Sequence, residues 1–243
     1  MRRENRHLGG FFISGIWTLK TIAYVDGYNL YYGVLRVPPA NYKWLDLYSL
    51  FSDILKNQSP ESELLCVKFY TAPILGKFSV HGETAVHAQA SYHRALKSIH
   101  TGPVEIYEGY YTDTRSTPMR YKNPPDKTDK LDAWKLEEKQ TDVNIALDIY
   151  RDACQEACDQ MIVCTSDTDI VPALKYVSTD FPNIEIGSVL CRRNEDTKRP
   201  DVASIKKNVN WMRNYILEEE LARNQFKDKV PTKKYPVVKP VHW

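Results

Sequence analysis

The chain has 243 residues, 42% hydrophobic and 12% aromatic, enough to bury a large core without disulfide or metal staples. Its five cysteines, Cys66, Cys154, Cys158, Cys164 and Cys191, form no CxxC pair, which argues against a zinc site or disulfide framework and for reduced core thiols in a cytoplasmic protein. Formal net charge is only +2, yet residues 192–243 hold 13 Lys and Arg against 7 Asp and Glu, leaving a body with 20 basic and 24 acidic residues. No stretch approaches the roughly 20 apolar residues of a membrane span, so no membrane partner is expected. Arg2, Arg3 and Arg6 ahead of an apolar run only imitate a signal peptide, because that run contains Ser14 and Trp17 and lacks a small-residue cleavage site.

Taken in order, residues 21–26, TIAYVD, read as a strand ending on Asp26, and Gly27, Tyr28 and Asn29 turn the chain into a helical piece broken by Pro38 and Pro39. Residues 44–55 repeat apolar positions at three and four spacing, an amphipathic helix. A second strand at 64–72, a helix at 84–99 and a third strand at 104–111 follow. Residues 113–135 show no periodicity and hold Pro118, Pro124 and Pro125, so they read as an inserted loop on the substrate side. Thr141 caps a helix to about residue 157 with Val143, Ala146, Leu147, Tyr150, Ala153 and Cys154 as its buried stripe. Residues 161–164, MIVC, form a fourth strand running into Thr165, Ser166, Asp167, Thr168 and Asp169, and Pro172 opens the next helix. A fifth strand spans 184–191, helices cover 202–209 and 211–223, and residues 226–243 form a basic, extended tail.

This alternation predicts an α/β fold: a Rossmann-like three-layer α/β/α sandwich around a central, mostly parallel five-stranded sheet. The expected organisation is an N-terminal extension at 1–17, one domain at 18–210 with the insertion at 113–135, and a C-terminal helix and basic tail at 211–243.

The strands carrying Asp26 and Asp167 deliver acids to the carboxyl end of the sheet, where open α/β sheets place their sites. Asp169 belongs to the same loop, and Asp142 sits in the first turn of a helix that can dock beside that cleft. Asp148 lies about 240° around from Asp142 and points elsewhere. Each acid also has a bland role, as a turn or helix cap or as a partner of a helix dipole. Crowded carboxylates call for a cation, and oxygen-only ligands suit Mg²⁺ or Mn²⁺, which can activate water for phosphodiester hydrolysis. No GxGxxG follows the first strand, and neither GxxxxGK[ST] nor GxSxG occurs.

Three motifs, Val25-Asp26-Gly27-Tyr28-Asn29, Glu138-Lys139-Gln140-Thr141-Asp142-Val143 and Thr165-Ser166-Asp167-Thr168-Asp169, resemble those of the NYN domain family, the LabA-like and limkain-type members of the PIN-like nuclease fold. The resemblance spans residues 21–191 and implies a metal-dependent endoribonuclease. Asp26, Asp142, Asp167 and Asp169 would bind Mg²⁺ or Mn²⁺, and Asn29, Lys139, Thr165 and Ser166 would line the substrate side. RNA, single-stranded or structured, would be the partner, and a homodimer is carried over by analogy. The alternative is a catalytically silent RNA-binding or regulatory module of the same fold.

Overall fold

A computed structural model describes residues 18–38, 40–98, 102–193 and 202–243. The expected extension at 1–17 lies outside the described residues. In chain order the elements are β1 (Leu19–Asp26), α1 (Gly27–Leu30) continued by a π-helical turn at Tyr31–Leu35, α2 (Leu47–Gln58), β2 (Ser62–Thr71), α3 (Glu83–Leu96), β3 (Val104–Glu108), β4 (Tyr110–Ser116) and β5 (Ala133–Lys139). They continue as α4 (Thr141–Cys154), β6 (Gln160–Cys164), α5 (Val171–Asp180), β7 (Glu185–Val189), α6 (Ala203–Lys206), β8 (Trp211–Arg213), α7 (Glu218–Arg223), β9 (Lys229–Val230) and β10 (Val237–Val238).

The central sheet has six strands in the order β3-β2-β1-β6-β7-β8, every neighbouring pair parallel. β1 and β6 are the middle pair, which explains why both are near-continuous apolar runs: a strand covered on both faces has no polar side. Successive side chains leave on opposite faces. Ala23, Val25, Ile162 and Cys164 pack with α2, α3 and Trp44, and Ile22, Tyr24, Met161 and Val163 pack with α4, α5 and α6. Helices therefore cover both faces of the sheet.

The second face contains a buried ionic knot. Lys68 donates to the Asp152 carboxylate at 2.6 Å, and the Tyr24 hydroxyl donates to the same oxygen at 2.6 Å. Burial holds the Tyr24 hydroxyl well above its usual range, so it stays a donor.

Several local expectations are corrected. The sheet has six strands rather than five, because Trp211–Arg213 is a strand and the helix begins only at Glu218. Trp211, Ile216, Leu217 and Leu221 lie near helical spacing, and that pattern hid a short edge strand. Residues 113–135 are not wholly irregular: β4 and β5 pair antiparallel from Tyr110↔Lys139 to Ser116↔Ala133. Both strands are largely solvated and polar, so they carry no alternating apolar signal. The strand read at 104–111 divides at Gly109 between two sheets. The tail is partly folded, with a β9–β10 ladder and the Trp243 ring 6.1 Å from that of Trp44. No described helix is long and apolar enough to cross a membrane.

Removing one partner of a buried pair leaves the other charge without compensation. Asp152→Ala is therefore expected to lower unfolding free energy by about 3–5 kcal/mol in urea titrations, and adding Lys68→Met should recover much of that loss. An Asp152→Ala variant as stable as the wild type would show that the knot contributes nothing.

Candidate functional site

The strand order reverses between β1 and β6, and at such a switch point the connections leave in opposite directions and open a crevice at the carboxyl ends. Val25 pairs with Cys164, so the next residues, Asp26 and Thr165, come together at the crevice floor. The Thr165 hydroxyl donates to one Asp26 oxygen at 2.9 Å, while the backbone N–H of Asn29 donates to the other at 2.9 Å and its side-chain amide to the first at 2.6 Å. The turn is tight because Gly27 has no side chain. A Cβ there would meet the Tyr70 carbonyl oxygen at 2.6 Å and the Phe69 ring at 2.8 Å.

Asp26 is only 2% exposed. Burial raises its pKa to about 6 against the three hydrogen bonds that pull it down, with a further upward push from Asp142. Asp142, in the first turn of α4, is held above the usual carboxylate range by burial and then by Asp167 and Asp169. Asp167 caps the short helical turn that precedes α5, accepting from the Asp169 N–H at 2.9 Å. Ser166 is tied in on both sides: its N–H lies 3.4 Å from the Asn29 amide oxygen, and its hydroxyl accepts from the Cys191 N–H at 3.0 Å.

Of the residues picked from sequence, Asp26, Asn29, Thr165, Ser166, Asp167, Asp169 and Asp142 come to this one crevice. Lys139 does not. It lies on the face of β5 that carries Lys135 and Glu137, pairing with Glu137 at 3.3 Å. Its neighbour Glu138 takes the opposite face, accepts from the Thr141 hydroxyl, and is held up by burial and by Asp142.

Tyr111 and Arg36 join the site from outside the three motifs. Tyr111 of β4 sits across from Glu138, which with burial raises its hydroxyl pKa and leaves it a neutral donor. Exposed Tyr28 and Tyr32 hold their rings 4.4 Å apart, and Arg36 lies 5.0 Å over the Tyr32 ring. A Tyr-x-x-x-Tyr-x-x-x-Arg run at 28, 32 and 36 is a helical-face signal that could have found this set. Aromatic faces, one cation and a base of raised pKa can together hold a planar, anionic, proton-bearing molecule.

In class this is an open α/β protein with an acidic, aromatic site at its switch point. No known family model matches the chain. It is 36% identical to the 6-hydroxy-3-succinoylpyridine 3-monooxygenase HspA of Pseudomonas putida (strain DSM 28022 / S16), over 93% of this chain and 75% of that protein. The chain belongs to the family of that monooxygenase.

This overturns what the three motifs implied. Monooxygenation is an oxidoreduction, whereas ribonuclease action is hydrolysis, so membership of the NYN domain family and the endoribonuclease activity, with its silent RNA-binding alternative, are corrected. The Mg²⁺ or Mn²⁺ cofactor is corrected with them. Among the described residues no three His, Cys, Asp or Glu side chains are grouped so as to hold a metal ion. The motifs misled for a physical reason: strand, aspartate, turn and helix recur wherever an open sheet needs a capped helix, and Asp26 and Asp167 both accept backbone N–H bonds as caps.

An unfolded aspartate titrates near roughly 3.9, so between that value and about 6 the native state binds more protons at Asp26. The contribution of Asp26 to stability is then greatest at low pH and declines as pH rises from about 4 to about 6. Relative to Asp26→Asn, the wild type should lose on the order of 2–3 kcal/mol across that window in urea titrations. Parallel pH profiles for the two proteins would refute the assignment.

Proposed function

We propose that this protein is a monooxygenase acting on a hydroxylated pyridine, or a similarly electron-rich ring, that carries a carboxylate tail. The observation that carries this reading is the extent of sequence shared with a named monooxygenase, 36% identity over 93% of the chain. The site supports it. Asp26, with a pKa of about 6, is ionised at neutral pH and basic enough to take the proton of a ring hydroxyl. The relative's name places a hydroxyl at ring position 6 and oxygenation at position 3, opposite one another. Deprotonating such a hydroxyl sends electron density to the carbon where oxygen is to be attached.

The other residues take positioning roles. The Tyr28 and Tyr32 rings offer a stacking surface, Arg36 can pair with the carboxylate tail, and the neutral Tyr111 hydroxyl can donate to the ring oxygen. Position 3 in that name already carries the succinoyl group, so the bond broken is the ring C–C bond to the acyl carbon. One O₂, two hydride equivalents from soluble reduced nicotinamide and two protons then give a ring C–OH, one water and the acyl chain released as an aldehyde.

Oxygenation of this kind often relies on a resident flavin dinucleotide, and the switch point is where doubly wound sheets hold dinucleotides. The residues present do not fit that group. The turn after β1 has Gly27 as its single glycine, Gly27 packs against the Tyr70 carbonyl, and the buried Asp26 carboxylate stands where a pyrophosphate would approach. No step is routed through such a cofactor here.

The test is incorporation of label from ¹⁸O₂ into the dihydroxylated ring formed from 6-hydroxy-3-succinoylpyridine in the presence of reduced nicotinamide. Wild type should label the product, and Asp26→Asn should lower kcat by roughly 10²–10⁴-fold. Arg36→Gln should raise KM about tenfold or more with a smaller effect on kcat, the loss expected for one charge-assisted contact. Failure of wild type to take up oxygen with this or related hydroxylated ring acids would sink the proposal.

A further inference from the structure

The π-helical turn at Tyr31–Leu35 ends on Arg36, whose backbone N–H donates to the Tyr31 carbonyl at 3.1 Å. Wide turns of this kind recur at functional sites. The chain then doubles back, because the Tyr42 N–H donates to the Leu35 carbonyl at 2.9 Å. Lys43 is thereby delivered beside Arg36. Its other neighbour, Trp44, is fully buried and donates from its ring nitrogen to the Lys227 carbonyl at 2.9 Å, so the backbone of Lys43 is pinned on both sides. The two cations share one ring: the Arg36 guanidinium lies 5.9 Å and the Lys43 ammonium 5.8 Å from the centre of Tyr31.

Neither cation meets an acid. Exposed cations elsewhere find carboxylates, Arg115 with Asp132 at 2.9 Å and Lys122 with Asp129 at 2.6 Å, whereas among the described residues Arg36 and Lys43 form no ion pair. Burial and then the charge of Arg36 lower the Lys43 pKa, and Lys43 in turn, after burial and His81, lowers that of His242 from the tail. Like charges held together without an acid cost free energy that an incoming anion relieves. The rings indicate which anion fits. Tyr31 meets Tyr32 edge-on at 5.1 Å, and Tyr32 holds Tyr28 at 4.4 Å, so aromatic faces run from the turn that holds Asp26 to the two cations. The proposed substrate carries its hydroxyl and its acid tail at opposite ends of the ring. Seated with the hydroxyl at Asp26, it sends the tail toward Arg36 and Lys43.

We propose, on the reading that this crevice holds a hydroxylated ring acid, that Lys43 determines specificity: with Arg36 it forms a two-cation subsite for the terminal carboxylate. The protein then selects rings whose tail ends in an anion over rings with an uncharged tail. The guanidinium supplies a planar fork and the ammonium a rotatable point charge, so both carboxylate oxygens can be met.

Titration calorimetry without reductant tests this with 6-hydroxy-3-succinoylpyridine and its methyl ester. Wild type should bind the acid at least about tenfold tighter than the ester, and Lys43→Gln should weaken the acid about tenfold while leaving the ester unchanged. Lys43→Arg should restore most of the acid's affinity, and KM for the acid should follow the same order with kcat unchanged. Wild type that binds acid and ester alike overturns the proposal, as does a Lys43→Gln variant that keeps its affinity for the acid. In either case, oxygen transfer to the acid by wild type shows that the reading of the crevice stands. Equal loss of acid and ester in Lys43→Gln overturns the subsite too, because that is loss of structure and not of one charge contact. Lys43-dependent binding of the acid with no oxygen transfer supports the subsite and removes the monooxygenase reading alone.

Discussion

The burial of one carboxylate between the two halves of the sheet is the constraint on which the site depends. β1 opens the half containing β2 and β3, and β6 opens the half containing β7 and β8. Asp26 at the end of β1 is held by Thr165 from the end of β6 and by Asn29 from its own turn, so both halves fix one side chain. Three donors are enough to keep an ionised carboxylate in a nearly closed position, but not enough to cancel the cost of burial, and its pKa stays at about 6. The residual imbalance gives the group its use. A fully compensated carboxylate would be too weak a base to take a proton from a ring hydroxyl near neutral pH.

The parts of this arrangement that were legible in the sequence are those governed by period and burial. Residues 21–26 and 161–164 are apolar without alternation, which marks strands covered on both faces, and each ends on a polar turn. That was enough to bring Asp26, Thr165, Ser166 and Asp167 to one edge. Lys139 was misplaced because residues 113–135 showed no strand period. Once β5 is seen to run to Lys139, alternation alone puts Glu138 and Lys139 on opposite faces, and the acid is the one turned toward Asp142. Tyr111 escaped for another reason: it becomes part of the site only through Glu138, across the β4–β5 ladder and distant in sequence.

Chemistry was the least legible layer. A carboxylate at a strand end accepts backbone N–H bonds whether or not it also meets a ligand, so Asp26 and Asp167 look alike in a hydrolase, an oxygenase and a plain capped helix. What separates these is the remainder of the set. A hydrolytic metal centre needs its oxygens converging on one point, whereas here Asp26 faces Thr165 and Asn29, Asp167 turns back to the Asp169 N–H, and Glu138 accepts from Thr141. Asp26, Asp167 and Glu138 are each committed to a local donor, and the crevice is lined by rings and a guanidinium as well as by acids.

α4 joins this site to the outer surface. Its first turn brings Asp142 to the crevice, its inner face anchors the sheet through Ile145 and Ile149, and Asp152 binds Lys68 and Tyr24. A helix fixed at so many inward points cannot rotate to hide Val143, Leu147, Tyr150 and Cys154, because turning them in would pull Asp152 out of its knot. All four belong to the stripe expected to be buried, and the fold leaves them exposed. The same inward anchors that hold Asp152 in its knot also hold Asp142 at the edge of the crevice, so one helix sets both.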